Sequence, residues 1–318
     1  MNKRILLAVS LLLFSVIIGS QLASSDGEET IPISVVIAND PPEVRTVTCT
    51  KDGSAPPIDL NESSWGRVVC SAVIYDLNDY TDVEVAGDAN GTLVLNSSSL
   101  AACNPNDPTD LDNSTCYFNN SCTFSSGSGT TVTLTCDFIV WWYMEASSDE
   151  GDFTAWIKVQ DGSDNIAMNS TDLSVNDLLA LNVTDQVNWG GMSALTLGTE
   201  TVSVNNTGNV QMDLQLNATN MTCNAGSPPQ NITPQRIAYN STSATSCGDG
   251  GGAWSECCKL TGKPDDTCAQ LSTNFDLAED ATGLGGVPNS ANFYLTLNVS
   301  TGVQGTCDGN LTVTAVKG

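Results

Sequence analysis

Residues 76–84 read DLNDYTDVE and residues 160–165 read QDGSDN. They concentrate oxygen donors: Asp76, Asn78, Asp79, Asp82 and Glu84 in the first stretch, Asp161, Asp164 and Asn165 in the second. Carboxylates and amide carbonyls are hard ligands, and a hard cation such as calcium takes six to eight oxygens. Each stretch follows a long run of alternating apolar residues, so two acidic turns at one end of a β structure would converge to supply such a set. The spacing is not that of an EF-hand loop, because Tyr80 occupies the fifth position and no glycine follows at the sixth. The competing reading is a pair of solvated turns in which Asp and Asn bond their own backbone. Asp76, Asn78, Asp79, Asp82, Asp161 and Asp164 are the calcium candidates, and calcium is the one cofactor these residues support. A third acidic stretch, NPNDPTDLDNS, adds Asp107, Asp110 and Asp112.

Other chemistry finds little support. The chain has no histidine, which removes the usual general base near neutral pH and excludes Ser-His-Asp and Cys-His sites. Paired carboxylates of the glycosidase type remain open. The densest cluster, Glu145, Asp149, Glu150 and Asp152 in EASSDEGD, falls within one turn where carboxylates are ordinarily solvated. The glycine-rich GDGGGAW at 248–254 lacks the spacing and the following helix of a phosphate cradle, and reads as a flexible loop beside Cys247. No catalytic residue is assigned, and the expectation is a protein that is not an enzyme. In FIVWWYM, Trp141, Trp142 and Tyr143 are consecutive, so at least one large ring must lie on the outer face of a strand. The plainer account buries one Trp and sets the other under a loop or at a domain contact.

The segments that must position these residues alternate at period two. IPISVVIA, VRTVTCT, GRVVCSAVIYD, DVEVAGD, GTLVLN, TVTLTCDFIVWWY and DFTAWIKVQD are separated by D-G, N-G, S-G and proline-bearing turns. Short strands so spaced, almost without helical periodicity, point to an antiparallel sandwich. Residues 170–186, STDLSVNDLLALNVTDQ, read as a polar connector. Beyond it come VNWGG, ALTLG, TETVSVNNTGNVQMDLQLNATNMTC, QRIAYN and STNFDLA. The closing FYLTLNVSTGVQGTCDGNLTVTAV reads as a hairpin with Phe293, Leu295, Leu297 and Val299 turned inward. Between Cys223 and Cys268 the composition is rich in Gly, Pro, Ser and Cys, which suits a disulfide-fastened excursion.

At 318 residues the chain can hold two domains. Lys3 and Arg4, the apolar run from Ile5 to Ile18 and the small polar residues after it have the layout of a secretory signal peptide, with cleavage expected after Ala23. An uncleaved anchor is the alternative, although the run is short for a bilayer span. The expected fold class is all-β: two tandem antiparallel Ig-like β-sandwich domains after an N-terminal signal segment. The boundaries are a signal peptide at 1–23, an acidic linker at 24–30, a first sandwich with its connector at 31–183 and a second sandwich with a Cys/Gly-rich insertion at 184–318.

Loss of Lys3 and Arg4 with the signal leaves 36 acidic side chains against 8 basic ones. Such a field repels nucleic acid and anionic lipid, so neither is an expected partner. The cysteines split evenly into Cys49, Cys70, Cys103, Cys116, Cys122 and Cys136, then Cys223, Cys247, Cys257, Cys258, Cys268 and Cys307. Beside an export signal, two even sets imply two separately stapled domains, with the pairing left open. Adjacent Cys257 and Cys258 are expected to bond different partners. Paired CxxC spacing and histidine are both lacking, which disfavours a zinc site. Fourteen triplets fit N-x-S/T, at Asn61, Asn90, Asn96, Asn113, Asn119, Asn169, Asn182, Asn205, Asn217, Asn220, Asn231, Asn240, Asn298 and Asn310. Several oppose apolar neighbours in an alternating run, as Asn96 does beside Leu93 and Leu95, Asn205 beside Val202 and Val204, and Asn217 beside Leu214 and Leu216. Dense glycosylation of solvent faces is the reading they support.

The first half resembles the immunoglobulin-like and PKD-like modules of secreted archaeal envelope proteins through PPEVRTVTCT, VVCSAVIYDLNDYTDVE, TLTCDFIVWWYMEA and FTAWIKVQDGSDN. The second half is similar to another such module through VNWGG, VNNTGNVQMDLQLNATNMTC and GTCDGNLTVTAV. The resemblance implies tandem sandwiches and an extracellular or cell-surface location, and it brings no catalytic residues. The expected role is a non-enzymatic, glycosylated structural or adhesive component of the envelope, with other envelope proteins or surface glycans as partners. The alternatives are a binding module working through its loops, and a homopolymeric filament subunit that exchanges IPISVVIA or retains its N-terminal apolar segment, the one route to a membrane.

Overall fold

Burial alternates strictly along the strands of the first half: in WGRVVCSAVIY, TVTLTCDFIVW and FTAWIKVQ every second side chain is withdrawn from water, the signature of a strand with one face in a core. The computed structural model describes residues 34–35, 38–86, 88–98, 100, 103, 114–226, 229–240, 258–260, 275–278 and 289–318. Two contact units divide the chain, 1–38 and 39–318, and both sandwiches lie in the second.

The first sandwich holds β1 (Glu43–Lys51), β2 (Trp65–Tyr75), α1 (Tyr80–Ala86), β3 (Ala89–Leu95), β4 (Cys116–Asn119), β5 (Thr123–Ser128), β6 (Thr131–Trp141), α2 (Ser147–Glu150), β7 (Phe153–Gln160) and β8 (Ile166–Leu173). Its sheets run β1-β2-β6-β5 and β4-β3-β7-β8, antiparallel throughout. Ile74, Leu134, Phe138, Phe153 and Ile157 fill the space between them. Apolar area of this kind, at about 25 cal/mol per Å², is the main favourable term in holding two sheets together.

The second sandwich holds β9 (Leu181–Val183), β10 (Leu197–Asn206), β11 (Met212–Ala218), β12 (Met221–Gly226), β13 (Pro229–Ile232), β14 (Ile237–Asn240), β15 (Cys258–Lys259), β16 (Ser290–Asn298), β17 (Gln304–Asp308) and β18 (Leu311–Lys317). One sheet runs β15-β14-β16-β10-β9; facing it are β11-β18 and β13-β12-β17. Val202 and Val204 of β10 and Phe293, Leu295 and Leu297 of β16 meet Met212, Leu214 and Leu216 of β11 in the core. The all-β sandwich class is thus the one observed.

Three local expectations are corrected. DVEVAGD does not form a strand, because Tyr80–Ala86 is the helix α1. Asp79 accepts the Thr81 amide and hydroxyl, Tyr80 donates its amide to the Gly129 carbonyl, and Val83 is fully buried. A Cβ at Gly127 would sit 2.2 Å from the Tyr80 ring, so that ring rests directly on the β5 backbone. Second, residues expected to begin the polar connector at 170 still belong to β8, paired with β7 along its whole length. Third, 293–316 is not a hairpin. β16 pairs with β10 and β14, whereas β18 pairs with β11 in the facing layer. Most of IPISVVIA lies outside the described residues, and the first described strand is β1. The sheets change over between Val175 and Leu181, since β9 pairs with β10, a few residues ahead of 184.

The four described disulfides all join neighbouring strands or their approaches. Cys49–Cys70 ties β1 to β2 at directly opposed positions, and Cys122–Cys136 ties the approach of β5 to β6. Cys70 in turn lies opposite Cys136 across the β2–β6 ladder, so four half-cystines line up across one sheet. Cys103–Cys116 fastens the chain ahead of β4, and Cys223–Cys307 joins β12 to β17. Among the described residues no cysteine is free. Cys247, Cys257 and Cys268, and the side chain of Cys258, lie outside the description.

The sandwiches meet at the turn NTGN, 206–209. Asn209 is almost fully buried: its Nδ2 donates to the carbonyls of Met144 (2.9 Å) and Asn176 (3.2 Å), and its Oδ1 accepts the Leu178 amide (2.6 Å). Thr207 donates to Glu62 Oε1 at 2.6 Å. A Cβ on Gly208 would fall 1.9 Å from the Leu178 carbonyl oxygen, so only glycine admits this approach. At the rim, Lys317 Nζ lies 3.0 Å from both Asp149 and Asp177, and Ser148 donates to Asp177. Asp177 is held below the usual carboxylate range first by the Ser148 hydroxyl and then by Lys317, against the opposing pull of burial. A depressed carboxylate stabilises above its ordinary value of 3.8 and loses that contribution as pH falls through the lower folded value. Both partners are about one-third exposed, so Lys317→Ala is expected to cost under about 1 kcal/mol. Urea titrations should show its deficit against wild type at pH 7 and see it shrink as pH falls below 3.8 through the lower folded value.

Candidate metal centre

Three carboxylates predicted from two separate stretches converge at one end of the first sandwich. Asp76 is the residue after β2, Asp161 the residue after β7, and Asp82 sits on α1. One carboxyl oxygen from each lies within 4.8 Å of the others. Strand lengths and the seat of α1 fix this: β2 and β7 end at the same edge of their sheets, and Tyr80 and Val83 pin the helix that carries Asp82.

The turn at 161–165 closes around Asp161. Its Oδ1 accepts the Ser163 amide (2.9 Å) and the Asn165 amide (2.8 Å), and its Oδ2 accepts Asn165 Nδ2 (2.8 Å). Asn39, on the approach to β1, donates Nδ2 to Asp82 Oδ2 (3.0 Å) and Asp161 Oδ2 (2.9 Å), bridging two carboxylates as a small cation would. Asp76 is fully buried. Its Oδ1 accepts the Asn78 amide at 2.8 Å, while Oδ2 is buried with no hydrogen-bond partner among the described residues.

The electrostatics differ between the members. Burial holds the Asp76 carboxyl above the usual carboxylate range; the Asn78 amide opposes this, and Asp82, Asp161 and Asp40 reinforce it. Burial alone would also raise Asp161, but bonds from Asn165, Ser163 and Asn39 outweigh it and bring the group below the usual range. Among the described residues no donor reaches Asp76 Oδ2, so that oxygen calls for a proton or a metal cation.

The other candidates stand apart from this centre. Asn78 accepts the Asp40 amide, Asp79 caps α1, and exposed Asp164 accepts Gln160 Nε2. Asp107, Asp110 and Asp112 lie outside the described residues. Asn39 was missed, although N-D directly ahead of a proline pair is a turn signal. Of the sequon asparagines, Asn61, Asn96, Asn169, Asn182, Asn220, Asn231 and Asn310 are exposed. Asn90, Asn119, Asn205, Asn217, Asn240 and Asn298 are half-buried, and Asn113 lies outside the description. In FIVWWYM, Trp142 is buried, whereas Trp141 faces outward and stacks on Tyr143 with ring centroids 6.2 Å apart. Trp65, which the sequence reading passed over, is 56% exposed and pairs with Trp141 across β2 and β6.

No protein-family model matches the chain, and no curated protein matches it. Among solved structures, it overlaps the dimeric latent PorU of Porphyromonas gingivalis at 13% identity and TM-score 0.26, covering 88% of this chain and 20% of that one. It therefore spans about a fifth of that protein. A chaperone–tip adhesin complex of CFA/I fimbriae biogenesis gives 9% identity and TM-score 0.25, over 88% and 85% of the two chains. The CsuC–CsuE chaperone–tip adhesion subunit complex of the Acinetobacter baumannii Csu pili gives 11% and 0.29, over 81% and 96%. At these scores no activity or partner follows from the likeness.

Proposed function

We propose that the chain is a non-enzymatic, extracellular structural or adhesive component of a cell envelope, with glycans on its solvent faces. The observation that carries this reading is the row of half-cystines across β1, β2, β6 and the approach to β5. Disulfides persist where the surroundings are oxidising, and these cross-link a sheet instead of poising a thiol for chemistry. The sequons support it, since none of their thirteen described acceptor asparagines is buried. Among the described residues no helix is long and apolar enough to cross a membrane; the apolar run at 5–18 lies outside them.

The test is glycopeptide mapping of the protein purified from its native source, with fractionation between envelope and medium. Glycans are expected at exposed Asn61, Asn182, Asn220 and Asn310. Asn119 is expected to carry least, because its Nδ2 is committed to the Asp137 carbonyl at 2.5 Å. An unmodified polypeptide would remove the glycoprotein reading, and recovery from the cytoplasm would remove the location.

A second reading, recognition of a glycan, is favoured by the Trp65–Trp141 pair on the outer face of the β1-β2-β6-β5 sheet. Sugar rings stack on exposed aromatic faces. A glycan array should then show binding that Trp65→Ala together with Trp141→Ala abolishes; an array without hits on the wild-type protein sinks it.

A further inference from the structure

We propose that Asp76, Asp82, Asp161 and Asn39 bind one calcium ion at the end of the first sandwich. Clustered acids alone would not require this, because surface carboxylates are commonly hydrated. What does is Asp76. It is fully buried, its Oδ1 is occupied by the Asn78 amide, and its Oδ2 has no donor among the described residues although Asp82 and Asp161 crowd the same space. A buried anionic oxygen without a partner is strongly destabilising, and two further carboxylates beside it add repulsion. A divalent cation would meet that oxygen and at the same time offset the repulsion among the three carboxylates.

The donor chemistry selects the ion class. Every side-chain atom offered is a carboxyl or amide oxygen, which suits a hard cation. Oxygens within 4.8 Å of one another can share a single ion through bonds of about 2.4 Å, the calcium–oxygen length. Asn39 is the fourth ligand. Its Nδ2 now bridges Asp82 and Asp161, and turning the amide over presents Oδ1 to an ion held between them. Water completes the coordination. Three carboxylates from two chain segments, joined by Asn39 from a third, place the affinity among extracellular calcium modules, with a dissociation constant on the order of 10⁻⁴–10⁻³ M. This binding goes beyond the envelope role and does not rest on it.

The experiment uses the full chain stripped with chelator and titrated with CaCl2 by calorimetry and by thermal melting. Wild type is expected to bind one ion and to melt higher with millimolar calcium than in chelator. Asp76→Asn keeps the Oδ1 acceptor for Asn78 and removes the buried charge. That variant should melt above wild type in chelator yet gain nothing from calcium, so the order of the two proteins inverts when the ion is added. Asp82→Asn, at a half-buried position whose one described side-chain bond is to Asn39, serves if Asp76→Asn does not fold, and should bind at least tenfold more weakly. Failure of calcium to shift the wild-type melting temperature overturns the proposal. So does an equal response of wild type and the folded variants, which would show only diffuse attraction to an acidic surface.

Discussion

Serine at both Cys223 and Cys307 is expected to lower the stability of the second sandwich by about 4–5 kcal/mol. The bond spans 84 residues and joins β12 to β17 at directly opposed positions, so the folded strands already hold the two sulfurs together and the bridge acts chiefly on the unfolded chain. Opening a loop of that length restores conformational freedom that folding must then remove again. The same change at Cys122 and Cys136, only 14 residues apart, should cost about 3 kcal/mol from loop entropy. Urea unfolding of both double variants under non-reducing conditions, followed by tryptophan fluorescence, gives the comparison. If the long-loop variant loses less than about 1 kcal/mol, the strand contacts alone hold β12 against β17 and the entropic account fails.

Asn209→Ala should cost on the order of 3 kcal/mol or more and should act at the junction before either core. The side chain serves three backbone groups, the carbonyls of Met144 and Asn176 and the amide of Leu178, from a buried position. Alanine leaves all three without that partner; the Met144 bond is buried and the other two are partly so, and an orphaned buried group costs about 1–3 kcal/mol. Gly208→Ala should produce the same result by a different cause, since its methyl would meet the Leu178 carbonyl at 1.9 Å, a backbone atom that cannot swing aside. The measurement is limited proteolysis: cleavage within 176–180 should appear at protease concentrations that leave the wild type whole. Equal resistance of wild type and both variants would mean that the Lys317 cluster and the Thr207–Glu62 bond suffice to close the junction.

Much of the fold is readable from side-chain parity. The alternation in β2, β6 and β7 gives both the strands and their buried faces, and it sets Cys70 and Cys136 on the inner one. Parity tells which face a residue takes, not which strand lies beside it. That is why FYLTLNVS and NLTVTAV look like the arms of a hairpin while belonging to facing layers. DVEV carries a strand's alternation too, and besides the local Asp79 cap it is the Tyr80 ring on Gly127 and the bond from Tyr80 to Gly129, both set by distant chain, that favour a helix. At the metal centre, Asp76, Asp82 and Asp161 are legible because acidic turns follow long strands. Asn39 is not, because its part depends on where the approach to β1 passes.

The row of half-cystines has a mechanical consequence. Drawn by its ends, a sheet fails where neighbouring strands slide past one another. In β1-β2-β6-β5 both outer pairs are cross-tied by sulfur. The only untied seam is β2 against β6, and it is also the longest, registered without a break from Trp65 opposite Trp141 to Tyr75 opposite Thr131. Tension therefore meets eleven residues of uninterrupted zip at the one place in this sheet where sulfur gives no help.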